Sequence, residues 1–504
     1  MMAPDDAAPA SRFPATPAFT GVNEPRRIEA EVLDLEVEGS VPVELDGTFY
    51  RCGPDPRYPP RLGDDINLNG DGMVIMFRFK NGHVDFRSRY VRTEKFRLET
   101  AARRSLFGAY RNPFTDAPEL RERSIANPGI RTTANTNVVC HAGRLFALKE
   151  DGLPHELDPD TLETRGPFDY SGRMRSLTAT AHPKIDPSTG EMISHGYEAG
   201  GLATREIALH VISRGGELVR EEMFLAPFVG MMHDWAVTTR HLVFPLMPTT
   251  ADLERMRRGG PHWVFEPQRE TQIGIMRRDA ASEDLHWHRA PPCGVGHVLN
   301  AFSEGEHVHV DIFVSERNQF PFIASSDGRP FDRAAGTPRL TRWTFDAAHP
   351  SGAPASQTLY ADFMEMPAMD PRYAMRPYRH GFCAIVDPAR PLDAAGTIGV
   401  GWNTLARLDL QTGAIERYWV GGRTVCQEPC FVPCSAAAPE GDGFVLAQLT
   451  RFDGEWRTEI IILDAQRLSE GPLARVRVPF RLRPVVHGTW VPRQTDLSPT
   501  RRAS

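Results

Sequence analysis

No stretch of the 504-residue chain approaches the roughly eighteen consecutive apolar residues that a membrane-spanning helix requires. The opening, MMAPDDAAPASRFPATPAF, is acidic and rich in Pro and Ala with no apolar h-region, so it does not read as a secretory signal. Cysteine is sparse: there are 7 thiols, an odd number without any CxxC pair, which fits a reducing cytoplasm better than a disulfide framework. Surplus positive charge is missing too, and a net charge of −7 argues against a protein that tracks nucleic-acid phosphates. The motifs HExxH, GxSxG, Walker A and GxGxxG are all absent, which removes the usual anchors for zinc proteases, serine hydrolases and nucleotide binders. These absences leave a soluble cytoplasmic protein as the first expectation.

What is present is a β pattern. Short runs with strand character recur: VIMFRF (74–79), RLFALK (144–149), HLVFPL (241–246), HVHVDIFV (307–314), FVLAQL (444–449) and TEIIIL (458–463). Turns of hairpin type lie between such runs: KNGH (80–83), DPSTG (186–190), SRGGE (213–217), QTGA (411–414) and FDGE (452–455). Strand-length runs punctuated by Gly, Asn or Asp turns predict a mostly antiparallel sheet protein. Helical pattern is scarce, with ETAARRSLFGAY (99–110) and TADLERMRRG (250–259) as the two expected helices. So many hairpins without a clear linker suit a closed all-β architecture, a propeller first and a set of β-sandwich domains second. No Gly-His…Trp-Asp repeat marks it as a WD40 protein. Residues 1–20 and 493–504 read as disordered ends around a single domain over 21–492.

Of the 17 histidines most need no functional role, since a lone His in a strand protein is more often hydrogen-bonded or at the surface. His307 and His309 share a strand face, but no third ligand is near them in sequence. Four others sit in distinctive settings: His182 in TATAHPKID, His233 in MMHDWAVT, His297 in GHVLNAFSEG and His487 in VVHGTWVP. The last of their three spacings is close to three times the middle one. One propeller blade takes roughly 40–50 residues, more with insertions, so such spacings would put each His on a different blade, facing the axis. By itself the spacing is weak. Cys426, Cys430 and Cys434 recur every fourth position, but Pro429 and Pro433 break any helix that would align them.

At these four histidines the chain resembles the carotenoid cleavage oxygenase family. The resemblance runs from ELDGTFYRCGPDPR (44–57) to HGTWVP (487–492). It includes NGDGMV (69–74), TANTNVV (133–139), LKEDGLPHELDPDTLET (148–164), AHPK (181–184), MHDWAVT (232–238), HVLNAFSEG (297–305), EMP (365–367) and EPCFVP (428–433). It implies an all-β, seven-bladed β-propeller with a loop-and-helix dome over the metal-bearing face. It also implies that His182, His233, His297 and His487 bind Fe(II), Fe(2+), with Glu150, Glu365 and Glu428 as supporting carboxylates. Four neutral imidazoles leave the metal its full charge and open positions. A carboxylate accepting each remote N–H fixes the ligand's tautomer. Thr136, in TANTN, matches a position near the metal in some members.

A narrower resemblance, carried by LFGAYRNPFTD (106–116) with TANTNVV and ALKEDGLP, is to the bacterial lignostilbene dioxygenase branch. There a Tyr and a Lys hold the substrate's phenolic hydroxyl, and here Tyr110 and Lys149 match. A cation beside a phenol stabilises phenolate, which pushes electron density onto the conjugated alkene. Two departures stand out: Leu68 occupies a position that is commonly aromatic, and ELRERSIANPGIR (119–131) is longer than usual. The implied reaction is O2-dependent cleavage of the side-chain double bond of a 4-hydroxyphenyl alkene, a hydroxystilbene or a smaller isoeugenol-like or vinylguaiacol-like compound, to an aromatic aldehyde. Apocarotenoid cleavage, a retinoid-ester isomerohydrolase and a non-catalytic ligand-binding propeller are the alternatives.

Overall fold

The computed structural model describes residues 12–347, 353–390 and 401–493. The remaining parts of the two terminal segments expected to be disordered lie outside the described residues. Phe19, inside the first twenty, is buried, and the Ala18 carbonyl accepts from Arg483 (2.7 Å).

All six strand-like runs are strands. VIMFRF lies in Gly72–Lys80 and HVHVDIFV in His307–Ser315, while FVLAQL and TEIIIL form the hairpin Gly443–Asp453 and Glu455–Asp464. The turns close as their residues dictate: Asn81 and Gly82 both take positive φ (50° and 82°), the left-handed geometry that an Asn-Gly hairpin turn requires. Among the described residues seven sheets have four or more strands and one has three. Pairing is antiparallel throughout, apart from the short parallel contact of Trp263–Phe265 with Ala324–Ser325. Four sheets are simple four-strand meanders, over 137–167, 184–225, 294–360 and 364–419. The two ends of the chain interlock: His487–Pro492 pairs with Gly47–Pro54, and Glu36–Gly39 pairs with Pro472–Val478.

Apolar clusters fill the spaces between sheets, one around Trp235, Phe244 and Ile273, another around Phe49, Phe77 and Phe86. At the inner ends, Asn137–His141 touches His487–Pro492, which touches Cys430–Pro433, then Met364–Met369, then Gly294–Glu304, then Ala236–Val237. Side chains bridge the two remaining gaps. Lys184 pairs with Asp234 (2.7 Å), and Asn137 Nδ2 donates to the Ala181 carbonyl (2.7 Å). Segments from seven sheets are thus linked in one circuit.

Helix placement departs from expectation. The helix expected over 99–110 is α1, Glu94–Ala102. Thr93 caps it by accepting from the Phe96 amide, and Arg103 ends it in the left-handed region. Glu99 then accepts the Leu106 and Phe107 amides (2.8 and 3.2 Å), which turns 106–110 into a loop. The second helix, α2 (Pro118–Ala126), falls in the long 119–131 stretch and was not expected; Pro118 starts it at a position where its missing N–H costs nothing. The third, α3 (Leu253–Arg257), is a shorter piece of 250–259, capped by Asp252.

Two buried features of this frame have measurable consequences. Lys95 lies between Asp71 (3.0 Å) and Glu99 (2.7 Å), tying α1 to the NGDG segment. Lys95→Met should destabilise the protein by about 3–5 kcal/mol in urea unfolding, because it strands two buried carboxylates. His155 and His195 are held at about 4 and about 3 by burial. Unfolded, each takes a proton near pH 6.5, so their contribution is complete above that pH and is lost as pH falls towards 4. His155→Gln should flatten the pH dependence of the unfolding free energy in that window.

Candidate metal centre

The four singled-out histidines come together where the inner ends of four sheets meet. His182 lies two residues before the strand Lys184–Ile185, His233 three before Ala236–Val237, His297 inside Gly294–Glu304, and His487 begins His487–Pro492. One ligand atom from each lies within 4.8 Å of all the others, the one such group among the described residues. His307 and His309 form no site: His309 Nδ1 bonds Thr344 (2.9 Å). All seven cysteines are unpaired thiols.

Local irregularity aims His297. The ladder of Gly294–Glu304 shifts register between Val295 and Val298, and that of Met364–Met369 between Glu365 and Ala368, where Met366 takes a φ of 58°. The first irregularity releases His297 from its ladder; the second follows Glu365, which stays paired with Ala384 and faces His297. A Cβ at Gly296 would collide with the Glu365 carboxylate, so only glycine permits this approach.

Three carboxylates then fix three imidazoles. His297 Nδ1 donates to Glu365 (2.7 Å), His487 Nδ1 to Glu428 (2.7 Å), and His233 Nδ1 to Glu150 in a short bond. Each Nδ1 carries the proton, so each Nε2 presents a lone pair inward. His182 has no carboxylate partner here; its carbonyl accepts from Trp235 Nε1 (2.9 Å). The carboxylates are themselves supported. Glu365 accepts the His297 amide (2.9 Å), Glu428 pairs with the wholly buried Arg51 (2.7 Å), and Glu150 accepts from Tyr197. Burial alone would raise all three carboxyls, but the facing histidines and these donors hold them below the usual range.

The centre is built for a cation. Nε2 of His182 and of His487 are buried with no hydrogen-bond partner, and Nε2 of His233 and His297 lie 3.0 Å apart with both Nδ1–H groups already committed. Lone pairs that converge in this way repel unless a positive charge lies between them. Burial and the neighbouring imidazoles push His182 far down; His297, despite burial, is raised to about 9 by Glu365, so a metal ion would take the place of a proton on its Nε2. Four imidazoles suit a first-row transition metal rather than calcium or magnesium, which take oxygen ligands.

Thr136 is buried beside the centre; its carbonyl accepts the His487 amide (3.2 Å), and its hydroxyl donates to Asn135 (3.1 Å). Lys149 and Tyr110 do meet, with Nζ 5.2 Å from the centroid of the tyrosine ring. Lys149 also donates to Thr133 (2.9 Å) and the Leu68 carbonyl (3.1 Å), and lies 3.4 Å from Asp151. Burial lowers its pKa, an effect only partly offset by Asp151. Burial raises that of Tyr110.

Sequence reading missed the residues that support the site from outside: Arg51, Tyr197, Arg111 and Asp234. Arg51, Arg111 and Asp234 sit inside the quoted motifs, but only the fold shows what they touch. Asp234 joins three sheets by pairing with Lys184 and accepting the Val298 amide (2.8 Å). Glu365→Gln should weaken metal binding by about 10–100-fold in competition titrations, because an amide can hold His297 in the wrong tautomer.

Comparison with known proteins places this geometry. Residues 23–492 match the family model described as Retinal pigment epithelial membrane protein, RPE65. The chain is 43% identical to an isoeugenol monooxygenase of Pseudomonas putida, over 94% of this chain and 98% of that one. It is 41% identical to lignostilbene-alpha,beta-dioxygenase isozyme III of Sphingomonas paucimobilis, over 95% and 98%. The crystal structure of Pseudomonas brassicacearum lignostilbene dioxygenase superposes with a TM-score of 0.91 at 42% identity, covering 96% of this chain and 100% of that one. The chain belongs to the RPE65/carotenoid oxygenase family of non-haem iron oxygenases.

Proposed function

We propose that this protein uses O2 to cleave the side-chain double bond of a 4-hydroxyphenyl alkene, with Fe(II) held by His182, His233, His297 and His487. The observation that carries the substrate class is the Lys149–Tyr110 pair. Lys149 is the residue next to Glu150, which orients His233, so a phenol held by the pair lies on the flank of the metal centre. The relatives named for isoeugenol and lignostilbene support the same class. Splitting C=C into two carbonyl groups, one of them an aromatic aldehyde, balances with one O2.

Iron, when bound, supplies the activation of O2. The chain's own residues prepare the alkene. Lys149 is buried, which lowers its pKa while Asp151 partly restores it, and its ammonium form can donate to a phenolic oxygen. A phenolic hydroxyl replacing one of its present partners meets a charge-assisted bond that favours phenolate. The Tyr110 hydroxyl, kept protonated by burial, can donate to the same oxygen. The seven larger sheets, joined in a circuit at their inner ends, support a seven-bladed propeller forming one domain over 21–492. In that reading α1, α2 and the loop carrying Tyr110 belong to the dome. The seven unpaired thiols favour a reducing, cytoplasmic setting.

Iron-loaded protein should release an aromatic aldehyde from at least one of isoeugenol, 4-vinylguaiacol and a 4-hydroxystilbene. Lys149→Met should cut kcat/KM for that substrate by about 100-fold or more. Any turnover of an apocarotenal, which has no phenol, should be spared. Full activity of Lys149→Met on the phenol would sink the assignment.

A further inference from the structure

Each carboxylate that orients a metal-facing histidine is held differently. Glu365 is fixed by the His297 and Met366 amides, and Glu428 by the Arg51 guanidinium. Among the described residues, the one group besides His233 whose side chain bonds Glu150 is the Tyr197 hydroxyl. That hydroxyl can turn, so something must set its direction.

Arg111 does so. Its Nη1 donates to the Tyr197 oxygen (3.0 Å), which leaves the hydroxyl hydrogen free to point at Glu150. Its Nη2 donates to Glu198 (2.6 Å), and Glu198 also accepts from His262 Nε2 (3.1 Å). The guanidinium lies over the rings of Tyr197 and Trp263 (5.4 and 5.2 Å), and the backbone at Arg111 takes a φ of 56°, an uncommon conformation for a side-chain-bearing residue. Arg111, Tyr197, Glu198 and His262 are all buried. The donors converge on Glu150: Arg111 donates to Tyr197, Tyr197 to one oxygen of Glu150, and His233 Nδ1 to the other. A buried Arg–Glu pair serves folding in many proteins, but this one ends, through three further hydrogen bonds, on an imidazole whose lone pair faces the metal position.

We propose that Arg111 is a positioning residue for the metal: through Tyr197 and Glu150 it fixes the tautomer and direction of His233. Because Arg111 follows Tyr110, it also ties the segment that meets the phenol to one metal ligand. This inference rests on the reading of the four histidines as an iron site.

The test is the rate at which iron passes from loaded protein to an excess of a chromogenic Fe(II) chelator. It is measured for the wild type, Tyr197→Phe, Arg111→Gln and the double variant, beside the unfolding midpoint of each metal-free protein. Removing an outer-shell partner costs about 10–100-fold in metal affinity, so each single variant should release iron at least about tenfold faster. The double variant should be no faster than the faster single, since both act on one series. The metal-free midpoint of Tyr197→Phe should fall only slightly, as one lost donor to a buried carboxylate requires. Equal release by the wild type and Tyr197→Phe overturns the proposal, as do single effects that add in the double. So does release that rises only in proportion to the fall in the metal-free midpoint across the variants, the mark of a purely structural pair. If Arg111→Gln does not fold, Tyr197→Phe alone decides. Wild-type protein that holds no iron would sink the metal reading itself, an outcome distinct from equal release.

Discussion

Three imidazole–carboxylate hydrogen bonds hold the centre of this molecule in place. Each commits an Nδ1 proton outward, to Glu150, Glu365 or Glu428, and so turns an Nε2 lone pair inward. Converging lone pairs are unfavourable without a cation, and buried carboxylates are unfavourable without donors. The two unfavourable arrangements offset each other only when a metal occupies the middle and the outer donors are present. Much of the surrounding sheet structure can be understood as what supplies those donors at fixed positions.

The supply differs at each carboxylate. A bulge brings the His297 amide onto Glu365; a buried arginine from the first large sheet reaches Glu428; a tyrosine and an arginine in series reach Glu150. Asp234 joins the segments that carry His182, His233 and His297 by accepting from Lys184 and Val298. Pairing of the C-terminal strand with Gly47–Pro54 places His487 opposite Cys52 and next to the Arg51 strand. The last ligand therefore depends on the two ends of the chain meeting.

The pair proposed to hold a phenol stands on the same frame. Lys149 follows the strand Arg144–Leu148 and precedes Glu150, and its three present contacts fix Nζ beside Tyr110. In the proposed reading, substrate binding and metal chemistry are set by adjacent residues of one segment, which limits how far either could move without the other.

The sequence by itself determined the all-β character, because alternating apolar strands and Asn-Gly or Gly turns are local signals that tertiary context rarely reverses. It also determined which four of seventeen histidines matter, through the motifs around them rather than their spacing. Helix limits were only partly legible: the end of α1 depends on Glu99 capturing two amides beyond it, and α2 lay in a stretch marked only by its length. The pairing of each glutamate with its histidine, and the roles of Arg51, Arg111, Tyr197 and Asp234, were decided by the tertiary structure alone. The physical reason is separation along the chain. Arg51 meets Glu428, and Tyr197 meets Glu150, across sheets whose relative placement no local pattern encodes.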